Sequence, residues 1–448
     1  MTRAGEEVAR LTFARFVESE VRAALAAGDV TFAALLSRVP SVYPTELLAA
    51  IDRLRAMREI EPSLADAIRQ EASTRQPKRP VGRSLLPLPH PLDFEWRFTA
   101  DASRDLLNLA SDLTPADGDV LLFGTPGLAV EALSRPTRRR LSFLAEDNSV
   151  TQRLIALNEA TGAPLSIGFC RAGLPRASAD AVLLDPPWYV DFIRPMLAAA
   201  ATACRPGGVV ILSLPPVGTR PSADADREAT MRFAARIGLD PLDHQPLAIA
   251  YDTPFFETNA LAAAGVFAPA GWRRGDLVMF RRVRDNSRAG RLVSGRRRGW
   301  VEIPVGRMRL FVRPEGRGAG GLQGLIPLVE GDVLPSVSRR DPRRRAAQVW
   351  TSGNRIFRTD NPGLVVEAAL SRNNERKGYG HQPRLWGSVR QRQAVERVGS
   401  ELQALAMLEA AEEAAVREVA GEGVGFGRRV RPDFASRRRP SVLAELSV

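Results

Sequence analysis

Apolar side chains recur every three or four positions through the first eighty residues, a spacing that predicts helices. Phe13, Val17, Val21 and Leu25 mark one helix, which Gly28 can stop. Thr31 can cap a second, with Phe32, Leu35, Leu36 and Val39 inward, and a third runs from Thr45 with Leu47, Leu48, Ile51 and Leu54 on one face. Short helices joined by a tight break, followed by Met57-Arg58-Glu59-Ile60-Glu61-Pro62, suggest a winged-helix-like domain over residues 1–73. Such a unit can set its third helix in a DNA groove. It can equally dock a protein partner, and the third helix favours that, offering only Arg53 and Arg55 in an acidic neighbourhood.

Residues 74–92 are too proline-rich for helix, and Leu86-Pro87-Leu88-Pro89-His90-Pro91-Leu92 closes a semi-extended linker. From residue 93 to 286 the pattern changes to continuous apolar runs at 119–123, 141–145, 165–169, 181–184 and 209–214. Helical stretches over 150–160 and 192–204 separate them, and runs at 246–251 and 276–281 bring the strands to about seven. Continuous apolar strands between amphipathic helices predict an α/β domain: a doubly wound, mostly parallel sheet covered on both faces. Beyond it, residues 300–312 alternate as a hairpin turning near Gly306, and residues 348–357 do so around Ser352-Gly353-Asn354. Asn361-Pro362 starts a helix, and a longer one covers about 388–420. The expectation is a basic α+β domain over 287–420 and a basic flexible tail over 421–448.

Composition adds compartment and charge. The 448 residues suggest two or three domains and contain no apolar stretch of membrane-spanning length. No secretory leader is visible at the N-terminus, and two cysteines, Cys170 and Cys204, suit a cytoplasmic protein. With His90, His244 and His381 far apart, no metal is expected. The net charge of +12 is uneven: residues 287–448 hold 30 Lys+Arg against 17 Asp+Glu, nearly all of the cations arginine. An Arg-rich third beside a neutral remainder makes nucleic acid a possible partner. The runs Arg296-Arg297-Arg298, Arg343-Arg344-Arg345 and Arg437-Arg438-Arg439 are either solvated loops or a phosphate-contacting surface.

The sharpest chemical signal is Asp185-Pro186-Pro187-Trp188-Tyr189, directly after the fourth strand. Doubly wound sheets bind ligands beyond the carboxyl ends of their strands. There Asp185 can accept a hydrogen bond from an amine, proline carbonyls can accept another, and Trp188 offers a stacking face. Gly124-Thr125-Pro126-Gly127 after the first strand lets the backbone approach a cofactor, or is a plain turn. Glu146-Asp147 follows the second strand, and a carboxylate there, Glu146 first, can accept from two ribose hydroxyls. No acid ends the third strand, where Phe169-Cys170-Arg171-Ala172 stands. Tyr251-Asp252-Thr253-Pro254-Phe255-Phe256-Glu257 could wall an acceptor pocket but reads more simply as a core edge, and both cysteines as small buried side chains.

These motifs in this order resemble the class I S-adenosylmethionine-dependent methyltransferase superfamily over roughly residues 93–285. The resemblance implies a Rossmann-like methyltransferase sheet with S-adenosylmethionine as cofactor, contacted by Gly124, Thr125, Gly127, Glu146 and Asp147. It implies for Asp185, Pro186, Pro187, Trp188 and Tyr189 the catalytic role that Asp-Pro-Pro-Trp has in methylating exocyclic amino groups, adenine N6 included. The architecture is also similar to the branched-chain polyamine synthases: a winged helix, a linker, Phe94-Glu95-Trp96-Arg97-Phe98-Thr99, the glycine turn, Asp-Pro-Pro and Arg205-Pro206-Gly207-Gly208. Those enzymes transfer aminopropyl groups from decarboxylated S-adenosylmethionine and carry an acidic run after the first-strand glycine; Gly124 to Gly127 contains none. The expected function is methyl transfer to an amino nitrogen, with nucleic acid the favoured acceptor. The alternatives are a noncatalytic scaffold of the same fold, binding nucleic acid or protein, and a polyamine aminopropyltransferase-like enzyme.

Overall fold

A computed structural model of the chain describes residues 3–39, 41–74, 85–135, 139–170, 176–284, 299–314, 324–376 and 389–418. The N-terminal unit is four helices, α1 (Arg3–Ala26), α2 (Phe32–Arg38), α3 (Pro44–Ala56) and α4 (Pro62–Ser73). The Thr31 hydroxyl caps α2 through Ala34 N at 3.1 Å, and the Glu71 carboxylate accepts from Phe32 N and Ala33 N. The helices of the winged-helix expectation are present, but its wing is not confirmed. Among the described residues of this unit there is no strand: Arg58 turns the chain at φ 60°, and Pro62 opens a helix that buries Ala65, Ile68 and Ala72. The two basic residues of α3 are engaged at home, Arg53 with Glu18 and Arg55 with Asp66, both at 2.5 Å. The core of this unit runs on into Leu261, Val266 and Trp272, so it is packed on the α/β domain.

That domain comprises α5 (Ala100–Asp112), β1 (Asp119–Phe123), α6 (Pro126–Leu133), β2 (Arg140–Ala145), α7 (Ser149–Thr161), β3 (Ser166–Phe169) and β4 (Ala179–Leu184). It continues with α8 (Val190–Ala203), β5 (Cys204–Leu214), α9 (Ala223–Arg236), β6 (Leu239–Ala250), α10 (Phe255–Ala263) and β7 (Arg274–Arg282). The sheet order is β3-β2-β1-β4-β5-β7-β6, with β7 antiparallel to both its neighbours and the first five strands parallel. Alternation divides the strand residues between two cores. Val120 and Leu122 meet α5, α6 and α7 on one face, while Leu121 and Phe123 meet α8 on the other. Strand β6 starts at Leu239, earlier than the apolar run at 246–251 predicts, because its first half is an exposed edge with two register shifts.

The C-terminal unit contains β8 (Val301–Val305), β9 (Met308–Val312), β10 (Ile326–Pro327), α11 (Arg343–Ala346), β11 (Val349–Thr351), β12 (Ile356–Arg358), α12 (Pro362–Arg376) and α13 (Val389–Glu418). Its antiparallel sheet has the order β10-β12-β11-β9-β8. The two hairpins turn where expected, at Gly306 with φ 64° and at Asn354 with φ 65°. One face packs on α12 and α13 through Leu364, Val365, Val398 and Leu402; Phe311 and Trp350 on the other face meet Leu92. His90 is buried against Phe311, with its Nε2 3.3 Å from the Trp350 carbonyl. Of the three arginine runs, residues 296–298 and 437–439 lie outside the described residues. Arg343 pairs with Asp341 at 2.6 Å, and Arg344 is buried between Phe94 and Trp350 as a structural side chain.

Helix α13 carries a buried titratable group. The Glu409 carboxylate accepts from Ser352 Oγ at 3.0 Å, near the Arg355 guanidinium that also pairs with Asp332 and Glu412. Burial pushes Glu409 up to about 7 against the opposing pull of Thr351, Arg355 and Ser352. Between pH 4.5 and about 7 the folded chain therefore keeps a proton that the unfolded chain has released, and stability falls as pH rises through that window. Urea unfolding of the wild type should show this decline, and Glu409→Gln should flatten it; an unchanged slope would refute the assignment.

Candidate active site

Strands β1 and β4 are neighbours, but the helices that follow them pack on opposite faces of the sheet. A doubly wound sheet opens a crevice at such a switch point. Gly124 to Gly127 leave β1 on one side of it and Asp185 to Tyr189 leave β4 on the other. Glu146 and Asp147 follow β2, and the crevice is a cavity of about 1230 Å³. Gly124, Thr125, Gly127, Glu146, Asp147 and Asp185 all line it, together with Cys170 at the end of β3.

Each lining group has a local cause. Gly124 takes φ 66°, and a Cβ there would lie 3.5 Å from Met196 Cε in the facing helix. Pro126 occupies the first turn of α6, where its missing N–H is not needed, so the glycine turn is also a helix start. The Thr125 hydroxyl is buried in the wall and has no partner among the described residues. Glu146 is half-buried, and its carboxylate is likewise unpaired among the described residues, whereas Asp147 is exposed and accepts from Gln152 Nε2 at 2.7 Å. Asn148 caps α7 through Thr151 N at 2.9 Å, which holds the turn carrying both acids.

Asp185 stands in the wall of this cavity and of a second one, of about 270 Å³. Pro186, Pro187, Trp188 and Tyr189 line the second cavity, not the first. Tyr251 Oη donates to Asp185 Oδ1 at 2.7 Å and sits 2.5 Å from Ser213 Oγ. Burial, and then the Asp185 charge, pushes the Tyr251 phenol well above its ordinary range, so it remains a donor. Trp188 meets Tyr251 edge to face at 5.5 Å, and both rings press on Gly275, where a Cβ would come within about 3.0 Å. The Pro187 carbonyl accepts from Tyr189 N at 2.6 Å. Tyr189 carries the guanidinium of Arg220 at 4.8 Å and that of Arg339 at 5.2 Å, whereas Trp188 has one guanidinium over it, that of Arg273 at 5.8 Å.

Several residues here escape sequence reasoning. Tyr251 reads as a core edge, yet it positions Asp185; the stretch after it does supply core, with Phe255, Phe256 and Glu257 buried. Glu257 accepts from Trp96 Nε1 at 2.8 Å and pairs with Arg273, which lies over Trp96, Trp188 and Trp272. The second cavity is also walled by Phe13, Tyr43 and Glu46 of the helical unit and by Ser336 and Val337 of the C-terminal unit. The Tyr43 hydroxyl is a buried group without a partner among the described residues. The first cavity is bordered by Asp93, Glu95 and Glu302, carboxylates that converge on Arg309 at 2.7, 3.9 and 2.6 Å. Burial opposes the Arg309 charge, but Asp93, Glu302 and Glu95 outweigh it and hold its pKa above the ordinary value.

The seven-stranded, mostly parallel sheet with these loops at its switch point is a Rossmann-like, doubly wound α/β fold. No family model and no curated protein matches the chain. Among solved structures it is similar to the branched-chain polyamine synthase of Thermus thermophilus, solved with N4-aminopropylspermidine and 5′-methylthioadenosine. That likeness has 13% identity and a TM-score of 0.46, over 66% of this chain and 98% of that one. It is also similar to the geranyl diphosphate C-methyltransferase of Streptomyces coelicolor, with 14% identity and a TM-score of 0.31 over 41% of this chain and 80% of that one.

Proposed function

We propose that the protein is an S-adenosylmethionine-dependent methyltransferase that acts on an amino nitrogen of a compact acceptor. The observation that carries this reading is the position of Asp185 in the wall shared by the two cavities. The larger cavity suits the cofactor: Glu146 offers an unpaired carboxylate to ribose hydroxyls, Thr125 a spare hydroxyl, and Gly124 a backbone free of a side chain. When bound, S-adenosylmethionine supplies a methyl group made electrophilic by the sulfonium. From the smaller cavity the acceptor amine donates to Asp185, which directs the nitrogen lone pair toward the larger cavity and can take the proton the nitrogen releases. Tyr251 fixes the carboxylate, and Trp188 provides a flat face beside it.

A nucleobase amino group would reach Asp185 only when flipped out of its stack. The walls from three units and the internal pairing of Arg343 and Arg355 favour a smaller acceptor over a polymer. Aminopropyl transfer is a second reading, favoured by the acidity that Asp93, Glu95 and Glu302 give to the larger cavity where the glycine turn has none.

Calorimetric titration with S-adenosylmethionine and its decarboxylated form tests both readings. Binding of S-adenosylmethionine should weaken about 10²-fold in Glu146→Ala, the loss of two charge-assisted hydrogen bonds. Unchanged affinity in that variant would reject the ribose assignment, and preference for the decarboxylated form would select the second reading.

A further inference from the structure

Among the described residues, two guanidinium groups line the larger cavity, Arg97 and Arg339. Arg97 is engaged along its Nε and Nη2 edge: Nε donates to Glu95 Oε1 and Nη2 to the Pro87 carbonyl, each at 2.7 Å. Arg339 differs. Only its Nη1 is used, pairing with the Asp191 carboxylate at 2.6 to 2.8 Å, so the Nε and Nη2 edge has no partner among the described residues. That edge is the one whose two parallel N–H bonds match a carboxylate. The pair is also accessible, with Arg339 41% and Asp191 53% exposed, and an exposed ion pair resists rearrangement only weakly.

The guanidinium is nevertheless well placed. It lies over Phe192 at 5.3 Å as well as over Tyr189, at the start of α8, whose Phe192, Pro195 and Met196 face Gly124 across the cavity. Its loop, between β10 and α11, is tied down: Asn354 Nδ2 donates to Leu334 O at 2.6 Å and Arg344 Nη1 to Val337 O at 2.9 Å. Carboxylates outnumber cations in this wall, with Asp93, Glu95, Glu302, Glu146 and Asp185 in it. Among the described cations of this wall, Arg339 is the one that keeps a two-nitrogen edge open to a ligand carboxylate.

We propose that Arg339, contributed by the C-terminal unit, recognises the amino-acid carboxylate of the cofactor. It thereby decides whether the cavity admits a carboxylate-bearing adenosyl ligand or only a carboxylate-free one. The inference rests on the reading of the larger cavity as the cofactor site, and the experiment separates the two.

Wild type and Arg339→Gln are titrated calorimetrically with S-adenosylhomocysteine and with 5′-methylthioadenosine, which lacks the amino-acid end. The expected result is a loss of about 10- to 100-fold in affinity for S-adenosylhomocysteine and a change of no more than about twofold for 5′-methylthioadenosine. Equal losses for both ligands would assign Arg339 to shaping the cavity and overturn the proposal, as would no loss for either. Failure of both ligands to bind the wild type would overturn the cofactor-site reading itself, and this inference with it.

Discussion

Asp185→Asn should lower the rate of transfer to an amine by about 10²-fold or more while cofactor binding and unfolding midpoint are retained. The amide keeps the size of the carboxylate, and its oxygen can still accept from Tyr251 Oη, so the Trp188–Tyr251–Ser213 cluster has no reason to repack. What changes is the edge facing the smaller cavity, where an acceptor becomes an N–H donor. An amine presented to that edge loses its hydrogen bond and the proton sink, and its lone pair is no longer aimed. Single-turnover transfer beside calorimetric cofactor binding separates the effects. Turnover within a few-fold of wild type would remove Asp185 from the chemistry.

The largest expected effect on stability belongs to Arg309. Arg309→Ala should reduce the free energy of unfolding by about 3–5 kcal/mol, because removing one member of a buried charge cluster strands the others. Arg309 is 1% exposed, and the side chains of Asp93 and Glu302 are 8 and 13% exposed, so two carboxylates would lose their close cation with little water to replace it, while Glu95 keeps Arg97. The deficit should shrink in acid, where protonation relieves the stranded charges. Urea unfolding at neutral and at low pH checks both size and direction, and a loss below about 1 kcal/mol at neutral pH would mean that the cluster admits solvent.

Much of the α/β domain was legible because its central strands are buried on both faces, which leaves continuous apolar runs such as Val120 to Phe123 and Ala181 to Leu184. Helix α5 was not, since its buried stripe of Ala102, Leu106 and Ala110 is interrupted by polar residues. In the helical unit three apolar helices and a break read as winged-helix-like, and the fourth helix, α4, with Ala65, Ile68 and Ala72 buried, was not legible. At the site, the residues adjacent in the chain to strand ends were visible. Those that act from a distance were not, because nothing near Tyr251 in sequence announces Ser213, and Arg339 lies 148 residues from Asp191. Net charge is blind to pairing in the same way, since counting arginines does not show that Arg309 and Arg355 are spent on internal carboxylates.

The placement of His90 bears on how the chain is made. Residues 90–92 precede the α/β domain, yet their packing partners, Phe311 and Trp350, come after it, with 260 residues between His90 and Trp350. A ribosome adding about 5–20 residues per second leaves this segment without those partners for tens of seconds after it emerges. The α/β domain is thus born with an apolar strap open to solvent, and its folding finishes only when the C-terminal sheet arrives to close over it.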